Sequence, residues 1–482
     1  VLFETAVVAT LSLSLMGAGA TTAMPESSNM SLYQSVSGRL SDRQSNAGPS
    51  TVLAQLEQLP AASVDVDLAS IHSMTGTNLL VGLAQLPLAD VAAFAAEYPT
   101  HIDSLLTSPP EATVVTAWWT MLDPAQRASL AAATPRLVGN LDGVPLAQRS
   151  RANEAYLRES LVEATRALDG VLTAEERRRL TSEVAMLDQV SEALQASDDG
   201  PKRSLILLDT AGTGRAAIAL GNPDTADYIG YLVPGMNYQV QPQMVNWTAV
   251  ADDLYREELA VLAENASGAA ATTTTASAGT GLAATATLRV TGAGTPKAAA
   301  TGAPTLATIA WIGYEAPDLF SVGGLERAEA GADFLETSWA GVRATRGGDQ
   351  PFVTVFAHSY GSTVSLLALA KGSAEIDALV VVGSPGSAIQ SAAKLKVADG
   401  NVFVGKADWD PAVNSAFFGS DPGAASYGAR VLGVHGGTDT VTGAALTASV
   451  GHNDYFKPGS ESLHNMALIG TDTAELVTGD TE

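Results

Sequence analysis

The sequence predicts an α/β fold: a mostly parallel sheet covered by helices on both faces, preceded by a mainly α-helical region. Three observations predict it. Between residues 51 and 200 apolar residues recur at helical spacing. From Lys202 onward, short apolar runs alternate with helical stretches, the pattern of strands joined by crossover connections. The first two of those runs are separated by the turn Thr210-Ala211-Gly212-Thr213-Gly214, so a hairpin opens the sheet.

The elements follow in chain order. Residues 1–24 contain AVVATLSLSLMGAGA at 6–20, an apolar run of export-signal length. Ala18, Ala20 and Ala23 offer small-residue cleavage points, while Glu4 stands where a basic residue is expected. The run is shorter than a membrane span, and no stable span is expected. The expectation is an exported protein, extracellular or in the cell envelope. The alternative is a buried helix in a cytoplasmic protein. Residues 25–50, rich in Ser, Asn, Gln and Gly, read as a flexible connector.

The helical region spans 51–200. Leu53, Leu56 and Leu59 share a face, as do Val91, Phe94, Ala95 and Tyr98. After Trp118 and Trp119, Asp123 suits an N-cap and Pro124 the first helical position. A helix is expected over 146–168. Another opens at Thr173, with Glu176 completing a capping box and Leu180, Val184, Leu187 and Leu194 on its apolar face. Arg177, Arg178 and Arg179 read as a solvated face, and His72 and His101 as structural or exposed.

The α/β domain spans 201–482. Strands are expected at 204–208, 216–220, 227–233, 305–312, 352–356, 378–382, 401–404 and 431–434. Helices are expected at 246–264, 325–343 and 363–370. Residues 266–304, dominated by Ala, Thr and Gly, cannot bury enough surface to offset their ordering entropy. They read as a flexible insertion, a passive loop, with a mobile lid as the alternative.

Composition excludes several classes of function. The net charge is −25 with the acidic residues spread, which argues against nucleic acid and anionic membrane surfaces as partners. There is no cysteine, hence no disulfide framework, thiolate metal site or cysteine nucleophile.

Phe352-Val353-Thr354-Val355-Phe356 leads into Ala357-His358-Ser359-Tyr360-Gly361, then into an apolar helix. Strand, sharp turn with serine at its apex, and helix is the layout of a nucleophile elbow. A serine hydroxyl is a weak nucleophile and must stand clear of the sheet to meet a base. Small residues must flank it, here Ala357 and Gly361. The helix that follows aims its N-terminal amides at the site, where they favour a developing oxyanion.

A serine nucleophile needs a base and an orienting carboxylate, in the order serine, acid, histidine. Only His435, His452 and His464 follow Ser359. His452 lies in a loop before the last helix, where it can fold back to the elbow; His464 falls inside that helix and reads as packed. His435 ends a strand and is the competitor. For the acid, Asp410 precedes Pro411, which holds its backbone extended. Asp408 is the alternative. The expected oxyanion donors are the N–H groups of Tyr360 and of Met236, the latter in the turn Pro234-Gly235-Met236. This chemistry needs no metal and no organic cofactor.

With these pieces in place, residues 200–470 resemble an actinobacterial α/β-hydrolase family long catalogued as a domain of unknown function. The likeness runs through Thr213-Gly214-Arg215-Ala216-Ala217-Ile218, Asn222-Pro223-Asp224-Thr225-Ala226-Asp227 and Val233-Pro234-Gly235-Met236. It continues in Val382-Gly383-Ser384-Pro385-Gly386 and Tyr455-Phe456-Lys457-Pro458-Gly459-Ser460. Upstream, Trp118-Trp119 and Leu137-Val138-Gly139-Asn140-Leu141-Asp142-Gly143-Val144-Pro145 resemble the helical region that often precedes it. The departures are Ala357 at the first elbow glycine and the insertion at 266–304. The resemblance implies a serine-hydrolase fold with Ser359, Asp410 and His452 as triad. The expected function is a carboxylic-ester hydrolase, esterase- or lipase-like, acting on a small-molecule ester or acyl substrate. The alternatives are an amidase or peptidase with the same triad, or a non-catalytic, secretion-associated binding protein on a hydrolase scaffold.

Overall fold

A computed structural model describes residues 68–196, 200–276, 303–413 and 415–479. The export signal expected within 1–24, the connector at 25–50, the face through Leu53, Leu56 and Leu59, and positions 277–302 of the insertion lie outside the described residues.

Short apolar runs, buried on both faces, build one eight-stranded sheet. Its strands are β1 (Arg203–Asp209), β2 (Arg215–Gly221), β3 (Tyr228–Val233), β4 (Leu306–Ile312), β5 (Phe352–His358), β6 (Ala378–Val382), β7 (Val402–Gly405) and β8 (Arg430–Val431). Their order is β1-β2-β4-β3-β5-β6-β7-β8. β1 and β2 form the expected hairpin, β2 runs antiparallel to β4, and every pairing from β4 to β8 is parallel. The chain goes from β3 outward to β4 on one side, then returns to place β5 on the other. The loops after β3 and β5 therefore emerge side by side, at the switch point where sheets of this kind hold their ligands.

Successive residues of a strand face opposite sides, and each side of this sheet has its own core. Tyr231 and Val233 of β3 and Val355 and Ala357 of β5 face one layer. That layer is α4 (Glu326–Arg346), through Ala332, Leu335 and Trp339, and α5 (Tyr360–Lys371), through Val364 and Leu367. Leu232 and Phe356 face the other layer. There lie α2 (Ala174–Ala193), through Leu187 and Val190, α3 (Val240–Ala276), through Trp247 and Leu254, and α6 (Glu461–Gly470), through Met466 and Ile469. α1 (Leu146–Leu168) adds Leu146 to the first core and Leu157 to the second. A third core, from Ile71 to Ala152, packs the short helices between Leu68 and Asn140 against α1 and includes Trp118 and Trp119.

The expected capping box of Thr173 with Glu176 forms. The expected N-cap Asp123 also forms, and it adds a reciprocal bond with Gln126 that makes it a second box. Several boundaries differ from expectation, three of them instructively. α5 starts directly after Ser359, three residues before 363, because the elbow leaves no loop between strand and helix. Helix α3 exceeds 246–264 at both ends, and 266–276, assigned by composition to the insertion, continue it. Alanine is the best helix former, and composition alone underweighted that. The strand expected at 431–434 is only Arg430–Val431. Leu432 N–H still reaches Val404 O, but Gly433 N–H turns to Thr478 O in the C-terminal segment.

Behind β4, Glu258 of α3 is buried, its carboxylate accepting only a hydrogen bond from Thr308 at 2.8 Å among the described residues. Burial pushes its pKa up to about 8, against a weaker opposing effect of the Thr308 bond. From about pH 4.5 to about 8, the unfolded chain has released a proton that the folded chain keeps. Stability should therefore fall across that window, by on the order of 5 kcal/mol. Glu258→Gln removes this titration, so the variant's melting temperature should depend less steeply on pH between 5 and 8 than the wild type's. Identical slopes would show that Glu258 ionises normally.

Candidate active site

The elbow stands at the end of β5. Ser359 has φ 52° and ψ −129°, a conformation costly for a residue with a side chain and one that persists where the surroundings impose it. Here Ser359 N–H donates to Val382 O at 3.0 Å, and α5 begins at the next residue. Two glycines permit the close approach of neighbouring chain. A side chain at Gly361 would overlap the carbonyl oxygens of Val233 and Pro234. One at Gly235 would come 2.9 Å from Ser359 Oγ. The turn after β3 thus lies directly against the serine.

Three residues distant in sequence meet there. His452 Nε2 is 2.9 Å from Ser359 Oγ, and His452 Nδ1 is 2.8 Å from Asp410 Oδ1. An ionised carboxylate can only accept, so Nδ1 carries the proton and Nε2 is left to accept from the serine hydroxyl. Asp410, 1% exposed, also accepts from Ala412 N–H at 2.9 Å and from the Tyr455 hydroxyl at 2.7 Å. Burial by itself would raise its pKa. The bonds and charge of His452, with those of Tyr455 and Ala412, outweigh burial and hold the carboxyl below its ordinary value.

The competitors fall elsewhere. His435 Nδ1 lies 3.5 Å from Asp408 Oδ1, and Asp408 is 73% exposed, so the two alternatives pair with each other at the surface. His464 sits in α6, as expected, and bonds Glu257 through Nδ1 at 2.9 Å. Tyr360 and Met236 supply the first amides after Ser359 and Gly235 respectively. Tyr360 N–H, at the first position of α5, has no partner within the helix. Met236 N–H meets no acceptor among the described residues. No group of three or more His, Asp or Glu is gathered for a metal ion among the described residues, and no described helix is long and apolar enough to cross a membrane.

Sequence reasoning missed two residues. Tyr455 steadies Asp410 and accepts from Ala407 N–H at 2.9 Å. His358 packs its ring against that of His452, with centroids 4.7 Å apart, and donates from Nε2 to His452 O at 2.8 Å. Burial, then the neighbouring His452, pushes its pKa down to about 3, so it stays neutral. The available signal was that both lie within three residues of a candidate site residue.

A parallel sheet with a serine at such an elbow and a histidine meeting it from beyond the last strand is the arrangement of an α/β hydrolase. The family profile described as alpha/beta hydrolase matches residues 209–306 and 270–420. The chain is 30% identical over 432 residues to an uncharacterized protein of Mycobacterium tuberculosis, covering 80% of this chain and 58% of that protein. It is 32% identical over 227 residues to an uncharacterized protein of Mycobacterium bovis, covering 46% of this chain and 71% of that protein. The chain therefore spans little more than half of the first relative's length and most of the second's. It belongs to the alpha/beta-hydrolase family.

Proposed function

We propose that the protein is a serine hydrolase that cleaves carboxylic esters through an acyl-enzyme, with Ser359 as nucleophile, His452 as base and Asp410 as its orienting carboxylate. One observation carries the reading: the His452 ring bridges Ser359 Oγ and Asp410 Oδ1, with both distances under 3 Å. In this reading the serine oxygen attacks the ester carbonyl and its proton passes to His452 Nε2. Charge gathering on the carbonyl oxygen is met by the N–H groups of Tyr360 and Met236. Collapse expels the alcohol, which takes the proton from His452. Water then attacks the acyl-serine by the same route, releasing the acid and restoring the site. Asp410, kept ionised by its bonds, stabilises the imidazolium in both halves.

The test is a fluorophosphonate probe followed by peptide mapping, with matched 4-nitrophenyl esters and 4-nitroanilides of the same acyl groups. The expected result is a single adduct on Ser359 and ester turnover at least about 100-fold above anilide turnover, the cost of a leaving group misplaced by about 1 Å. Equal rates on the two series would favour an amidase. No adduct and no turnover would leave a scaffold without catalysis.

A further inference from the structure

The turn after β3 is braced by a residue from the loop after β4. Tyr314 stands two positions beyond β4 and is 1% exposed. Its ring lies near-parallel to those of Trp311 and Tyr360, with centroids 6.1 and 6.3 Å away. Its hydroxyl is 2.7 Å from Pro234 O and 3.2 Å from Gly235 O. A phenol has one proton, so that proton is shared between two successive carbonyls, the nearer taking the larger part. Burial raises the Tyr314 pKa well above the ordinary tyrosine value, and the group remains a donor at neutral and mildly alkaline pH. The same loop pins the far end of the turn. Asn237, at φ 63°, donates its N–H to Pro317 O at 2.8 Å.

Peptide planarity converts this bracing into a statement about the site. In a trans peptide the C=O and N–H of one plane point in opposite directions. The Gly235 carbonyl and the Met236 N–H share one plane; the Pro234 carbonyl and the Gly235 N–H share the plane before it. Carbonyls drawn toward the phenol turn those two N–H groups away from it. Gly235 itself lies against Ser359. A phenylalanine would fill the space between Trp311 and Tyr360 as well as a tyrosine does, so packing does not account for the hydroxyl.

We propose that Tyr314 is a positioning residue for the oxyanion hole. Its hydroxyl orients the Pro234–Met236 turn so that the Met236 N–H is aimed before substrate arrives, and its ring braces Tyr360, which carries the second donor. The inference rests on the reading of Ser359 as nucleophile and Met236 as donor, and names the group that holds the donor in place. Preorganised donors act chiefly on the transition state. Deleting one typically costs about 10²–10³ in kcat, so loosening one should cost less, about 10-fold to 50-fold.

The test is Tyr314→Phe, which keeps the ring and removes one oxygen. With 4-nitrophenyl butyrate, kcat should fall about 10-fold to 50-fold while KM changes less than about 2-fold. Affinity for an alkyl boronic acid, whose serine adduct mimics the tetrahedral intermediate, should weaken in the same proportion. A melting curve establishes that the variant is folded. Should that variant unfold, Met236→Pro deletes the donor itself and should reproduce the loss of kcat and of boronate affinity. Unchanged kcat and boronate affinity in folded Tyr314→Phe, with wild-type Ser359 still labelled by fluorophosphonate, would overturn the role of Tyr314 and leave the triad standing. A loss confined to KM would assign Tyr314 to substrate binding and also overturn it. Absence of labelling in the wild type would overturn both readings.

Discussion

Ser359→Ala should lower ester turnover by about 10⁴-fold to 10⁶-fold and abolish fluorophosphonate labelling, with the fold unchanged. The size follows from the chemistry: without Oγ no acyl-enzyme can form, and only amides aimed at a carbonyl remain to favour direct attack by water. The fold should tolerate the change because alanine removes only the hydroxyl. The strained φ of 52° at this position is set by Val382 O, by the start of α5 and by the close approach of Gly235 and Gly361, none of which depends on Oγ. Turnover and labelling, measured beside circular dichroism, check this. An alanine variant that keeps more than a hundredth of wild-type activity would mean another nucleophile.

Asp410→Asn should lower kcat by about 10⁴-fold, and Asp408→Asn should leave it within about 2-fold. The contrast follows from position. Asp410 is buried and accepts at Oδ1 from His452 Nδ1, so it selects the tautomer whose Nε2 faces Ser359 Oγ with a lone pair. An asparagine there can present N–H to Nδ1, placing the ring's own proton on Nε2, where it can no longer accept the serine's. Asp408 is 73% exposed and faces His435, away from that ring. Steady-state kinetics on both variants decide between them. Comparable losses would mean that the two carboxylates share the role.

The fold was largely legible because its information is local. Short apolar runs, helix caps and turn chemistry are all read within a few positions, and they located the hairpin, the parallel strands and the caps at Asp123 and Thr173. The meeting of Ser359, His452 and Asp410 was legible for a different reason: few histidines follow Ser359, and chain order restricts which of them can return to the elbow. Asp410 was separable from Asp408 through Pro411, a backbone effect visible in sequence. What escaped was set by contacts between distant segments. The shortness of β8 depends on Thr478 O drawing Gly433 N–H away from the sheet. Tyr455, His358 and Tyr314 act by bonding a carboxylate oxygen or main-chain carbonyls 45, 94 and 80 positions away, and no spacing rule marks such partners.

The pairing of Tyr228 with both Leu306 and Phe352 has a consequence for the Ala/Thr/Gly-rich stretch. Leu306, where the chain re-enters the sheet from that stretch, is level with the first residue of β5, whereas Ser359 follows the last. Seven strand residues separate those levels, about 23 Å at the rise of a strand. The chain thus re-enters the sheet from that stretch at the end opposite Ser359. A change in its length should therefore leave the register of β3, β4 and β5, and with it the approach of His452 to Ser359, undisturbed.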